Sequence, residues 1–438
     1  MKLLIIGGGA AGMSAASKAR RIDKTADITV FEQGNYVSYA ECGMPYMLAG
    51  YFDGLGKLLH YPLSEFTENR NIKVLNGIKV DSIKRDDKYI IADGKRYDYD
   101  KLVMATGSYP RIPDEFTGMA YALRTMEDAE RLYERLKISD KITIVGAGVL
   151  GTELFSLLRH KYKVKLISKH EYLLPFLDED MGNILNSIAA ASASDIEYNS
   201  TPQAILKEGN GYSVRTTIGI HSTDTVIFAT GVLPSSSLAV DAGLKVDDKK
   251  LVLVNEYLQT SDPDIYSAGD STAAMNIVSK EYGFYPLAQI ANKMGRAAGI
   301  NVYGNSLKFP GVLGTTIINA MGFQVGYTGI NEASARRLGY EFDTAFVKAK
   351  SKSGYLNGND VYLKIIFNKK SGRLLGAQII DKDSGAWRLN TLAAFISAGS
   401  SLYDIAYSDL GYEPEYGPVW DPIVIAASLG LDKQDKDK

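Results

Sequence analysis

Up to about residue 325 the apolar residues fall in short unbroken runs, and beyond it they alternate with polar ones. An unbroken run is expected of a parallel strand buried on both faces, and alternation of an antiparallel strand with one wet face. Leu3-Leu4-Ile5-Ile6 is such a run, followed by a glycine turn at 7–12 and a small-residue-rich helix at 13–21. A second strand, Asp27-Ile28-Thr29-Val30-Phe31-Glu32, closes the unit. The pattern returns as a strand at 141–145, a glycine turn at 146–151, a helix at 153–160 and a strand at 163–167. Two copies of one β-α-β unit predict an α/β fold with two doubly wound domains. Tyr362-Leu363-Lys364-Ile365-Ile366-Phe367 and Leu374-Leu375-Gly376-Ala377-Gln378-Ile379-Ile380 predict antiparallel strands with a turn at 369–372. A helix at 390–398 and a Tyr/Pro-rich stretch at 412–422 follow, and residues 432–438 read as a frayed tail.

Chemistry enters at the glycine turns. Gly7-x-Gly9-x-x-Gly12 follows a strand, opens a helix and is answered by Glu32 at the end of the next strand. The glycines let the backbone approach a pyrophosphate, and the carboxylate accepts hydrogen bonds from a ribose diol. Gly146-x-Gly148-x-x-Gly151 has the same context but ends in Ser168-Lys169-His170. A carboxylate there would repel a 2′-phosphate, whereas a hydroxyl and a cation attract one, so this site favours NADPH, with NADH as the alternative donor. Each unit also has a strand ending in Ala-Thr-Gly, at Ala105-Thr106-Gly107 and Ala229-Thr230-Gly231. Glycine there lets the chain turn closely beneath a ligand. A third short strand, Ile265-Tyr266-Ser267, runs into Ala268-Gly269-Asp270.

The 438 residues are 45% hydrophobic and 23% charged, as in a multidomain globular protein. With 49 basic against 51 acidic side chains, nucleic acid is not an expected partner. No apolar run reaches the ~18 residues of a membrane span, and the first strand meets its glycines too early for a signal peptide. A cytoplasmic protein is expected. Cys42 is the only cysteine, and His60, His160, His170 and His221 are scattered, so neither an internal disulfide nor a metal site is expected.

The two fingerprints, both Ala-Thr-Gly strands and the Gly269-Asp270 ending resemble, along essentially the whole chain, the glutathione-reductase-like pyridine nucleotide-disulfide oxidoreductases. That resemblance implies FAD at the first fingerprint, NAD(P)H at the second, and Asp270 beside the flavin's ribityl-phosphate region. It also implies a domain order: an FAD-binding domain at 1–110 and 254–325, an NAD(P)H-binding domain at 111–253, and a C-terminal α+β dimerisation domain at 326–438.

The motif Ser38-Tyr39-Ala40-Glu41-Cys42-Gly43-Met44-Pro45-Tyr46 follows the first unit. In a doubly wound fold the ligand crevice lies at the carboxyl ends of the strands, which puts this loop beside the flavin. A thiol near the start of the following helix is expected to ionise readily, with Glu41 pointing away. A lone thiol stores no electrons as an internal disulfide, so Cys42 cycles through a sulfenic acid or a mixed disulfide.

That chemistry matches the single-cysteine branch of the family, which includes coenzyme A-disulfide reductases, NADH oxidases and peroxidases, and sulfur or persulfide reductases. Oxidases and peroxidases usually carry a histidine where this chain has Ala10, and coenzyme A-disulfide reductases lack it too. Ala11, Lys18, Arg21, Ser38 and Arg70 fall where such reductases contact coenzyme A. Cations, Arg20 among those on the first helix, suit its phosphates, and Tyr61 and Phe66 suit its adenine. The stretch Tyr412-Glu413-Pro414-Glu415-Tyr416-Gly417-Pro418-Val419-Trp420-Asp421-Pro422 resembles a segment that relatives lend to the partner subunit's active site. Tyr412, and less directly Tyr355, match tyrosines near the cysteine, where a phenol can protonate a leaving thiolate. Val149 stands where relatives often carry a tyrosine that gates the nicotinamide pocket.

The expected protein is a homodimeric FAD-dependent reductase of coenzyme A disulfide, driven by NADPH through a mixed disulfide of Cys42 with coenzyme A. An NAD(P)H oxidase, or a reductase of sulfur, polysulfide or persulfides, would use the same scaffold, and the sequence leaves these open. Use as a binding or signalling flavoprotein is opposed by Cys42 in its motif.

Overall fold

The structure is a computed structural model in which residues 1–192 and 195–436 are described. Lys2–Ile6 is apolar from Leu3 onward because it is paired in parallel on both sides, with Asp27–Glu32 and with Lys101–Met104. Ile265–Ser267 and Lys73–Asn76 extend these to a five-stranded parallel sheet, on which the helices Ala10–Ile22 and Ala288–Asn301 pack side by side. The second unit repeats the design in four parallel strands, in the order Asp195–Glu197, Lys163–Ile167, Lys141–Val145 and Thr225–Phe228.

The chain crosses between these domains through an antiparallel ribbon of Ser108–Pro110 and Val232–Pro234, just after each Ala-Thr-Gly. The two threonines stitch the crossings together. Thr106 donates its hydroxyl to the Ser235 carbonyl at 2.5 Å, and Thr230 donates to the Arg111 carbonyl at 2.5 Å.

Two domain boundaries shift. Ala239, Leu244 and Val252 share an apolar core with Leu4, Ile6 and Leu102, so the chain rejoins the first domain right after the ribbon, ahead of residue 254. The C-terminal antiparallel sheet runs in the order Thr316–Ala320, Phe323–Gly329, Leu374–Asp381, Asp360–Asn368 and Phe342–Lys350. Its first hairpin begins before 326. Met321 (φ 51°) and Gly322 (φ 83°) turn it in two residues with the positive φ angles a tight hairpin needs, which hides two strands in one run of sequence.

The last helices are also longer than their patterns suggested. Gly385–Ala398 starts ahead of residue 390, and Pro422–Lys436 carries helix through most of the expected frayed tail. Lys433 Nζ holds that end to the Thr344 carbonyl at 2.6 Å, and Gln434 Nε2 holds it to the Lys369 carbonyl at 2.6 Å. Residues 437–438 of the tail lie outside the described residues. Among the described residues no helix is long and apolar enough to cross a membrane.

Two buried cations lock the C-terminal domain. Lys364 reaches Asp180 at 2.8 Å, Asp178 at 3.3 Å and Glu332, tying the sheet to the second domain and filling a carboxylate cluster with its ammonium group. Arg388, fully buried, pairs with Asp381 at 2.9 Å and with Asp421 at 2.9 Å. Asp421 ends the Tyr/Pro-rich stretch, so the pair fixes where that stretch enters the final helix. Asp421→Ala leaves the guanidinium buried with half its compensation and is expected to cost about 3–5 kcal/mol. A calorimetric transition for the C-terminal domain at unchanged temperature would contradict this.

Candidate active site

Cys42 lies in the tight turn Glu41–Gly43, directly before the five-residue helix Met44–Leu48. The loop is held by a short ladder in which the Ala40 N–H donates to the Leu58 carbonyl at 2.7 Å and the His60 N–H donates to the Ser38 carbonyl at 3.1 Å. The thiol opens into a cavity of about 580 Å³. This cavity joins the expected cofactor residues Gly9, Ala105, Gly107, Gly269 and Asp270 to the expected substrate residues Ala11, Lys18, Arg21, Ser38 and Arg70. His60, Arg124, Lys293 and Arg296 line it too, which sequence reasoning missed. Lys293 and Arg296 were legible as a three-residue spacing on one helix, whereas His60 and Arg124 arrive from loops with no local pattern.

The glycine fingerprints divide by role. A Cβ at Gly7 would sit 2.1 Å from the Ala105 carbonyl oxygen, and one at Gly12 would sit 1.8 Å from that of Gly7, so these two let strand, turn and helix close together. The middle glycines are different. At Gly9 the nearest atom is Glu41 Oε1 at 4.0 Å, and at Gly148 nothing lies within 4 Å. Each caps a helix, Ala10–Ile22 or Val149–Leu158, whose first turn receives no capping side chain. Open space before unbonded N–H groups suits a pyrophosphate at both places. Glu32 accepts hydrogen bonds from the Gly8 and Gly34 N–H groups, both at 2.7 Å, which fixes its carboxylate beside the first turn for a ribose diol. The first site therefore fits FAD and the second fits a nicotinamide dinucleotide.

In the second site Ser168 is corrected as a phosphate contact. Its hydroxyl is buried and spent on His170, accepting from the backbone N–H at 3.1 Å and donating to the carbonyl at 3.0 Å. Lys169 is exposed at the strand's end and remains as the cation there.

Glu41 is corrected as well. It turns into the cavity, where the Arg124 guanidinium pairs with it and with Asp270 at 3.0 Å, while Ser108 donates to Asp270 at 2.9 Å. A cation between two carboxylates removes the reason for Glu41 to turn outward. The thiol is also harder to ionise than expected. Burial pushes Cys42 above the ordinary thiol range, and the charges of Glu41 and Glu153 add to this, against the pull of Arg124.

On the substrate side Arg70 is held over Tyr61 and Phe66, 4.7 and 4.9 Å from the ring centres, and bonds Glu65 and Ser17 at 3.0 and 2.9 Å. Arg20 is no phosphate ligand, because its guanidinium is buried and donates to five backbone carbonyls. Tyr412 and Tyr355 are exposed neighbours whose phenols interact, raising the Tyr355 phenol above its ordinary range, and neither lines the cavity of its own chain. A second hollow of about 640 Å³ lies at the amino ends of the second sheet's strands, around Lys141 and Lys163, away from the carboxyl ends where doubly wound folds bind ligands.

Two dinucleotide cradles and a thiol in the cavity beside the first define an NAD(P)H-dependent flavoprotein oxidoreductase. The chain belongs to the pyridine nucleotide-disulphide oxidoreductase family, whose model matches residues 1–295 and whose dimerisation-domain model matches residues 318–422. It is 34% identical, over 98% of both chains, to the NAD(P)H sulfur oxidoreductase (CoA-dependent) of Pyrococcus furiosus. It is 25% identical, over 95% of this chain and 96% of the other, to the coenzyme A disulfide reductase of Staphylococcus epidermidis. The reduced Bacillus anthracis CoADR-RHD superposes with a TM-score of 0.95 at 30% identity, covering 99% of this chain and 81% of that one. An NAD-dependent persulfide reductase from A. fulgidus gives 0.95 at 31%, covering 99% and 84%.

The charges around the thiol give a direct test. Glu41→Gln removes an anion beside Cys42 and is expected to speed its alkylation by iodoacetamide at pH 8, while Arg124→Gln slows it. In the unaltered chain the rate should still be climbing at about pH 9, past the ordinary thiol value of about 8.5. A plateau below pH 8, or the opposite order of the two variants, would contradict this account.

Proposed function

We propose that this chain is a cytoplasmic, homodimeric, FAD-dependent reductase of coenzyme A disulfide that takes its electrons from NADPH. The observation that carries the reading is the single cavity shared by Cys42, the cations Lys18, Arg21 and Arg70, and the rings of Tyr61 and Phe66. A thiol calls for a sulfur partner, the cations for phosphates, and the two aromatic rings, set edge to face, for a purine, and coenzyme A carries all three. Bound FAD supplies the two-electron relay between nicotinamide and sulfur. The Cys42 thiolate attacks one sulfur of the disulfide, forming a mixed disulfide and releasing one coenzyme A thiolate. Two electrons delivered to that mixed disulfide release the second coenzyme A and restore the Cys42 thiolate. Per turnover one NADPH and one proton yield NADP⁺ and two thiols.

The leaving thiolate needs a proton, and Tyr412 with its partner Tyr355 is the assigned donor, acting across the dimer. Tyr416, Val419 and Trp420 are exposed around Tyr412, forming an apolar face that a second subunit would cover. Lys169 is assigned to the 2′-phosphate of NADPH. Val149, exposed at the start of its helix, leaves the nicotinamide pocket without a gating ring.

A second reading shares every residue and changes the acceptor to polysulfide or a coenzyme A persulfide, and it is favoured by the named activity of the Pyrococcus horikoshii relative, a coenzyme A polysulfide/persulfide reductase 34% identical to this chain. Turnover of coenzyme A disulfide, polysulfide and oxygen, measured side by side with both nicotinamides, decides between the acceptors. Cys42→Ser should abolish reduction of coenzyme A disulfide, and full turnover by that variant would end the mechanism. The intact mass of the resting protein should show one coenzyme A adduct that is lost on reduction, whereas a single added oxygen would point to peroxide-type chemistry. Lys169→Ala should raise KM for NADPH roughly tenfold, the worth of one charged hydrogen bond, and leave KM for NADH alone.

A further inference from the structure

We propose that Tyr46 is a positioning residue that couples Cys42 to the second dinucleotide site, so that a dinucleotide bound there changes the reactivity of the thiol. The inference rests on Cys42 as the reacting sulfur, and not on which acceptor it reduces. Tyr46 lies one turn beyond Cys42 on the helix Met44–Leu48, and its hydroxyl donates to Glu153 Oε1 at 3.2 Å. Glu153 belongs to Val149–Leu158, the helix that Gly148 opens. The bond therefore runs from the thiol's own helix to the helix that cradles the second dinucleotide.

Around this bond the contact between the two helices is apolar. Met44, Met47 and Leu48 share one core with Leu154, Phe155 and Leu158. Such packing fixes the spacing of the helices without aiming any charge, and the Tyr46 hydroxyl supplies the direction. It is a permanent donor, because burial and the adjacent Glu153 hold its phenol up at about 12. Among the described residues no cation bonds Glu153. Burial pushes its carboxyl up, and the Tyr46 bond is what opposes this. The charge of Glu153 in turn reaches the thiol and disfavours the thiolate.

A ligand that alters the field of Glu153 thus alters Cys42. An oxidised nicotinamide ring is cationic, and a dinucleotide held at Gly148 would sit at the start of the helix that carries Glu153 and would bring that charge with it. Positive charge on the Glu153 side offsets the carboxylate and frees the thiol to ionise. Linkage makes the effect reciprocal: an anionic Cys42 strengthens binding of the oxidised dinucleotide by the same factor.

The test uses the FAD-loaded protein, reduced with dithiothreitol and desalted. Alkylation of Cys42 by iodoacetamide at pH 8 is followed by intact mass, with and without saturating NADP⁺, whose binding is confirmed by calorimetry. NADP⁺ is expected to speed alkylation at least about fivefold, the low end of couplings between linked sites. Tyr46→Phe should still bind NADP⁺ and lose most of the acceleration. Glu153→Gln should alkylate fast from the outset and gain nothing from the dinucleotide, and it decides the matter if Tyr46→Phe does not fold. An unchanged rate in the unaltered protein with NADP⁺ bound overturns the proposal, as does equal acceleration in either variant. Acceleration without any turnover of coenzyme A disulfide would sink the acceptor assignment and leave this coupling standing. Turnover without acceleration would do the reverse.

Discussion

The interaction on which the site depends is the apolar seam between the thiol's short helix and the second domain. Met44, Met47 and Leu48 are each at most 2% exposed, and their neighbours Leu154 and Phe155 are fully buried. Burying a side chain of this size contributes about 1.5–3 kcal/mol, so three of them hold a five-residue helix that has no stability of its own. The loop before that helix belongs to the first domain through its ladder to residues 58–60. Cys42 sits where these two attachments meet. Its place is therefore set by the packing of two domains, and the hydroxyl stitches of Thr106 and Thr230 keep the domains from sliding past each other.

Electrostatics then decides what the thiol can do. Glu41, Asp270 and Glu153 surround it with negative charge, and Arg124 is the cation that answers two of them. A half-buried guanidinium between two carboxylates is worth more in orientation than in net stability, because desolvation offsets much of the Coulomb attraction. Its consequence here is positional: Glu41 and Asp270 are held to one side of the cavity. Lys18 and Arg21, the cations proposed to meet phosphates, belong to the first helix, which would keep the groups that recognise anions apart from the acids beside the thiol.

Much of this was legible because it is written in local spacing. Each glycine fingerprint, with its strand, helix and closing strand, occupies a short stretch of chain, and Cys42 is single. What was missed lies between distant segments. The inward turn of Glu41 depends on Arg124, which comes from the crossing into the second domain, and no pattern near Glu41 announces that cation. The burial of Ser168 follows from its bonds to the His170 backbone, a turn that composition does not reveal. Arg20 and Arg21 are neighbours of the same type, yet one clamps five carbonyls and the other is exposed, a difference set by helix phase and by the loop at 70–71.

The C-terminal stretch poses the opposite problem, since its residues are well placed and still incomplete. Arg388 and Asp421 form a buried pair of charges that would be wasteful if the stretch before the last helix had only to be a linker. The Ser353 N–H donates to the Pro414 carbonyl at 3.2 Å, and this bond with the Tyr355–Tyr412 contact ties a second loop to the same stretch. So much fixation ordinarily serves a surface that must present side chains in one arrangement. Those presented are two tyrosine hydroxyls amid exposed Tyr416, Val419 and Trp420, an apolar rim around a polar pair. In water such a surface carries a solvation cost, which contact with a second copy removes. The family's dimerisation-domain model spans this stretch, which fits a rim that contact with a second copy would cover.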